Sequence, residues 1–158
     1  ECAYRDYDPM GVSAMPVRFS SVLMCFAIAS QLGLHVTSVD FSAAYTNAPM
    51  RKETWIHVPE GIPGVPRIGK DGKIRVARVN NSLFGFKESG AAWAELLDTK
   101  LRSIGGLKSV SPDAAKVSGA PIPGVTVHPC KSDPNVYRYD RGGEMCIVCA
   151  YKYVKTFV

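Results

Sequence analysis

The residues able to do chemistry concentrate in one stretch, Ser38-Val-Asp-Phe-Ser-Ala-Ala-Tyr-Thr-Asn47. It follows Leu34-His-Val-Thr-Ser-Val39, whose apolar and β-branched residues predict a strand over Leu34–Phe41. Asp40 therefore falls where that strand ends, with Tyr45 and then Asn47 a short step beyond. A carboxylate oxygen is the ligand type that a hard divalent cation such as magnesium requires. An aromatic ring just past it could wall off a sugar. The plainer alternative is a turn-capping aspartate followed by a core aromatic, and a lone acid does not separate the two.

Several elements would have to position that stretch. Phe19, Val22, Leu23, Phe26 and Ala29 recur at helical spacing, and Gly33 ends the pattern, which predicts an amphipathic helix ahead of the strand. Thr54-Trp-Ile-His-Val58 and Lys73-Ile-Arg-Val-Ala-Arg-Val79 read as two short strands. Between them lie the Pro- and Gly-rich loop 59–66 and a tight turn at Asp71-Gly72. Ser89 is placed to cap a second helix that buries Trp93, Leu96, Leu97, Leu101 and Ile104 and stops at Gly105-Gly106. Residues 107–132 read as a long surface insertion, and residues 1–17 as a turn-rich wrap. A last hairpin is expected from Asn135–Tyr139 and Met145–Tyr151 around Asp140-Arg-Gly-Gly143. The order predicts one α+β domain over 1–158, with a mostly antiparallel sheet packed on two helices.

The chain of 158 residues, 46% hydrophobic and 21% charged, has the composition of a globular domain rather than a disordered one. Its net charge of +5 suits a polyanionic partner. The five cysteines are scattered, which fits reduced thiols in an intracellular setting. Cys146 and Cys149 stand three apart in a strand-like run, where side chains face opposite ways, so they make poor joint metal ligands. The longest apolar run, Val22 to Ala29, is too short to span a membrane. Both ends read as cut from something longer.

Several blocks, in order, resemble the reverse transcriptases of copia-type (Ty1-like) long-terminal-repeat retrotransposons. They are Pro16-Val-Arg18 with the helix behind it, Val39-Asp-Phe-Ser-Ala-Ala-Tyr-Thr-Asn47, Ser82-Leu-Phe-Gly-Phe-Lys87 with Ala92-Trp93, and Ser132-Asp-Pro134 with Val136-Tyr137. Together they cover most of residues 4–151. The resemblance implies the fingers and palm of a right-hand polymerase, copying RNA and then DNA into DNA. The partners would be an RNA or DNA template–primer and deoxynucleotides, with no membrane, inside the cell and by family in retrotransposon particles. The thumb and RNase H parts are absent.

Carried over residue by residue, the resemblance makes Asp40 the first ligand to Mg2+ and the Phe41 backbone carbonyl a second. Tyr45 becomes the ring that crowds the sugar 2′ position, with Ala44 keeping the pocket floor small. Phe84 and Gly85 would lie under the template-pairing nucleotide, though a core position is the preferred reading for Phe84. Arg18 and Lys87 would touch triphosphate or template backbone, or stand as solvated charges. Trp93 reads as core. Trp55 and His57 could face a template strand, but packing on an edge strand is the preferred reading.

One departure is severe. The family carries tyrosine–valine–aspartate–aspartate in its second catalytic block, whereas here alignment on Tyr151 puts Tyr153 and Val154 at the two acids, alignment on Tyr153-Val154 puts Lys155 and Thr156 there, and no acid follows Glu144. A lysine there opposes metal binding, since two unit charges 4 Å apart interact by roughly 4 kcal/mol at a near-surface dielectric. Glu88-Ser-Gly-Ala91 also replaces the family's glutamine, alanine, proline and arginine after the lysine, which weakens a phosphate grip. The expectation is therefore a reverse transcriptase fragment that does not polymerise. The alternatives are a non-catalytic nucleic-acid-binding remnant, suggested by Arg51, Lys52, Arg75, Arg78 and Lys87, or a decayed open reading frame.

Overall fold

The structure, a computed structural model, describes residues 16–107 and 119–150. The expected wrap at the start, the middle of the insertion and the Tyr151–Val158 stretch with Lys155 and Thr156 lie outside the described residues.

The first helix, α1, runs Phe19–Leu32 and closes on Gly33, whose N–H reaches the Ala29 carbonyl. Its inward face is Val22 and Cys25, while Phe19, Leu23 and Met24 are exposed. A short 3-10 turn, Ala44–Asn47, leads into β1 (Pro49–His57), which pairs antiparallel with β2 (Val76–Asn81). The expected turn at Asp71-Gly72 forms, with the Gly72 N–H on the Gly69 carbonyl and the Gly69 N–H on the Lys73 carbonyl. The second helix, α2, covers Ser89–Ile104, and β3 (Thr126–Pro129), β4 (Val136–Arg141) and β5 (Glu144–Cys149) form a second antiparallel sheet in that order. Among the described residues the fold is thus α+β with two helices and antiparallel strands, divided into a two-stranded and a three-stranded sheet rather than one.

Period-two alternation explains how the three-stranded sheet is covered on both faces. Tyr137, Tyr139, Val148 and Val127 turn toward Leu97, Leu101 and Ile104 of α2. Val136, Cys149 and Ile147 turn the other way, toward Val22 and Cys25 of α1. The Tyr137 hydroxyl donates to Asp98 at 2.6 Å, and Arg102 holds the same carboxylate at 2.7 Å. Burial, then the Asp98 hydrogen bond, push the Tyr137 phenol up. Gly105 sits where β3 passes so closely that a Cβ would fall 2.6 Å from the Val127 nitrogen, so only glycine fits.

Three expectations are corrected. Leu34–Phe41 forms no strand. Leu34 to Val36 run beside Ile147 of β5 and along α1, but no described strand supplies the ladder of hydrogen bonds that would make a strand of them. The far end of the 107–132 insertion is not loop: Thr126–Pro129 pairs with β4, and Val127 is core. Ser89 is the first residue of α2 rather than its cap; the N-cap position is Glu88, with no side-chain cap bond. Among the described residues, no helix is long and apolar enough to cross a membrane.

Candidate functional site

Asp40 and Phe41 lie on the irregular connection after α1, both exposed. Phe41 is docked edge-on against Trp93 of α2, ring centroids 5.5 Å apart. The chain then turns sharply at Ala43, whose φ of 51° is the only positive value for a non-glycine among the described residues. Such a backbone is unfavourable for alanine, and local bonds hold it. The Ala43 carbonyl accepts from the Thr46 N–H (2.9 Å), the Thr46 hydroxyl (2.8 Å) and the Asn47 side-chain amide (3.3 Å). That turn sets Ala44 and Tyr45, both half-buried, against the cluster of Ala48, Ala92, Trp93 and Leu96.

The second block arrives from β2. Its strand end is tied to the 3-10 turn by the Asn81 amide on the Thr46 carbonyl (2.9 Å) and the Ser82 N–H on the Ala48 carbonyl (2.8 Å). The following turn uses Gly85 at φ 93°, a conformation glycine adopts freely. The Ser89 hydroxyl, buried at the start of α2, pins this turn by donating to the Leu83 carbonyl at 2.6 Å. Phe84 is thereby held outward, 69% exposed, so its reading as a core residue is corrected. Its ring still rests on Tyr45, centroids 5.2 Å apart. Phe41, Ala44, Tyr45, Phe84 and Gly85 therefore gather around the first turns of α2. Lys87 follows on the same turn and is exposed.

Arg18 is anchored elsewhere. Its N–H donates to Asp133 at 2.9 Å, in the loop before β4. Asp133 also accepts from the Ser21 hydroxyl (2.6 Å) and the Asn135 N–H (3.1 Å). Burial opposes its ionisation, but the Ser21, Arg18 and Asn135 hydrogen bonds outweigh that and hold the carboxyl below its usual range. On the neighbouring β5, burial and then a hydrogen bond with Cys25 push the Cys149 thiol up to about 12. The four described cysteines are free.

A two-magnesium centre needs several oxygen anions converging on one point. Among the described residues, no three Asp, Glu, His or Cys side chains come together in that way. Asp133, the one buried acid among the described residues, is already committed to three donors. The described donors do not fit a two-metal centre. What the arrangement does offer is a half-open aromatic pair, Tyr45 and Phe84.

Two of the expected cations of the basic set are engaged by α2: Arg51 bonds to Glu95 and the Ala91 carbonyl, and Lys52 pairs with Glu88 at 3.2 Å. Trp55, read as packed on an edge strand, is instead 55% exposed. Sequence reasoning assigned no role to Ala43, Asn81 or Asp133. No residue-type signal marks the first, since alanine rarely turns left-handed. Asn81 and Asp133 act through partners 35 and 115 residues away.

The family model for reverse transcriptase (RNA-dependent DNA polymerase) matches residues 1–111. The Transposon Ty1-ER2 and Ty1-H Gag-Pol polyproteins of Saccharomyces cerevisiae are each 30% identical over 104 residues, 66% of this chain and 5% of theirs. The Truncated transposon Ty1-A Gag-Pol polyprotein of the same yeast is 28% identical over 100 residues, 63% of this chain and 8% of its own. The chain thus spans about a twentieth of the length of the first two curated relatives. No solved structure matches. With two of the recognised blocks converging on one end of α2 and the family model matching most of the chain, this chain belongs to the reverse transcriptase family, as a stretch of the Ty1/copia type.

Proposed function

We propose that the chain is the fingers–palm portion of a copia-type reverse transcriptase, one domain over 1–158. The β1–β2 ribbon would belong to the fingers and the three-stranded sheet to the palm. The observation that carries this reading is the meeting of the two blocks. Tyr45 from one and Phe84 from the other lie 5.2 Å apart, held by independent tethers. In this reading Tyr45 bounds the sugar and Ala44 keeps the floor small, while Phe84 and Gly85 underlie the template-pairing nucleotide. Lys87 and Arg18 serve phosphates. Asp40 and the Phe41 carbonyl are what remains to hold Mg2+. The substrates would be deoxynucleotides and an RNA or DNA template–primer in an intracellular setting.

The chain as written does not polymerise in this proposal, because neither alignment of its last residues, on Tyr151 or on Tyr153-Val154, supplies the family's acid pair. What persists is binding of nucleic acid, the function that the net charge of +5 supports. Primer extension with magnesium, deoxynucleotides and a primed RNA template tests it, with Asp40→Asn alongside. No extension by either protein is expected. Template-dependent incorporation that disappears in Asp40→Asn would overturn the inactive reading.

A further inference from the structure

The segment from 49 to 81 carries seven Lys and Arg against three Asp and Glu, a net of +4 of the chain's +5. The ribbon and its connecting loop therefore hold most of the excess charge. Arg51, Lys52 and Arg67 are spoken for by Glu95, Glu88 and Glu60. Lys70, Lys73, Arg75 and Arg78 make no ion pair among the described residues.

The strand register sorts the ribbon's two faces. Trp55 stands opposite Arg78, and His57 opposite Val76. Since alternate residues share a face, these four lie together. The other face holds Thr54, Ile56 and the buried Val79, the side that turns inward. The outer face thus presents an indole 55% exposed and a valine 54% exposed, flanked by a guanidinium and an imidazole. The strand's one carboxylate is Glu53.

We infer that this outer face is a stacking platform for single-stranded nucleic acid, with Trp55 taking the face of a base and Arg78 the adjoining phosphate. The chemistry selects that occupant. An aromatic plane beside unpaired cations matches a polyanion whose bases have free faces, and base–aromatic stacking tolerates any sequence. A duplex hides those faces in its own stack. The platform rests on the nucleic-acid-binding reading above but not on catalysis.

The chain has two tryptophans, and Trp93 is buried, so intrinsic emission that responds to a ligand reports Trp55. The full chain is titrated at low salt, without metal or nucleotides, with a short oligo(dT) and with an abasic oligomer of equal length. Oligo(dT) is expected to quench the emission and to bind more tightly than the abasic strand. Trp55→Leu, a change at an exposed site, is expected to lose the quench and about tenfold in affinity for a labelled oligo(dT). Arg78→Gln is expected to lower the salt slope by about 0.7. Equal affinity for the abasic strand, or undiminished affinity in Trp55→Leu, would overturn the platform while leaving nucleic-acid binding intact. No binding of either oligomer at low salt would end both readings.

Discussion

The two sheets of this molecule are built on opposite terms. The three-stranded sheet is covered on both faces, and its buried tyrosine hydroxyls are bonded, Tyr137 to Asp98 and Tyr139 to the Leu101 carbonyl. The β1–β2 ribbon buries little beyond Val79 in its strands and is fastened by polar ties: Arg51 and Lys52 to α2, Asn81 and Ser82 to the 3-10 turn. Hydrophobic burial scales with area removed from water, whereas exposed ion pairs contribute little. The fold's stability thus resides in the sheet that carries no exposed candidate group. The exposed candidate groups Trp55, Arg78 and Phe84 reside on the ribbon and the turn that adjoins it. Nucleic-acid recognition needs exposed bases' partners to be exposed too, and a separate packed sheet supplies the rigidity they lack.

Breaking the packed region should cost most. Asp133→Ala strands the Arg18 and Asn135 N–H groups and the Ser21 hydroxyl, and is expected to destabilise the chain by about 3 kcal/mol in urea unfolding. The same carboxylate gives a sign for pH. Its folded pKa lies below the unfolded value of 3.8, so its contribution is complete above that value and is lost as pH falls through the folded one. Acid titration of unfolding should show this loss in the parent chain and not in Asp133→Ala.

A smaller effect is expected from Tyr137→Phe. Asp98 keeps Arg102, so only one hydrogen bond disappears from an otherwise filled site, at about 1 kcal/mol by thermal or urea unfolding. The smallest belongs to the ribbon. Lys52→Ala removes a largely exposed pair with Glu88 and should change stability by about 0.3 kcal/mol, an effect that vanishes in high salt. A loss near that of Asp133→Ala would mean that the ribbon, too, is part of the cooperative core.

The sequence was most legible where one element specifies itself. Helix α1 ends at Gly33 as its spacing predicted, α2 buries Trp93 and Leu96, and the last hairpin turns at Gly142-Gly143. The blocks that place the chain in its family were legible for a like reason: they are runs of adjacent residues. Pairing was not legible, because a strand needs a partner and the partner's identity is not local. Leu34–Phe41 has strand composition but no ladder, while Thr126–Pro129, read as loop, has one. The site divides the same way. The residue types of Asp40, Tyr45 and Phe84 were set by the chain's own order. That Tyr45 and Phe84 touch, that Trp55 faces solvent beside Arg78, and that Asp40 joins no group of three possible metal ligands among the described residues were decided only by which segments packed against α2 and which were left outside it.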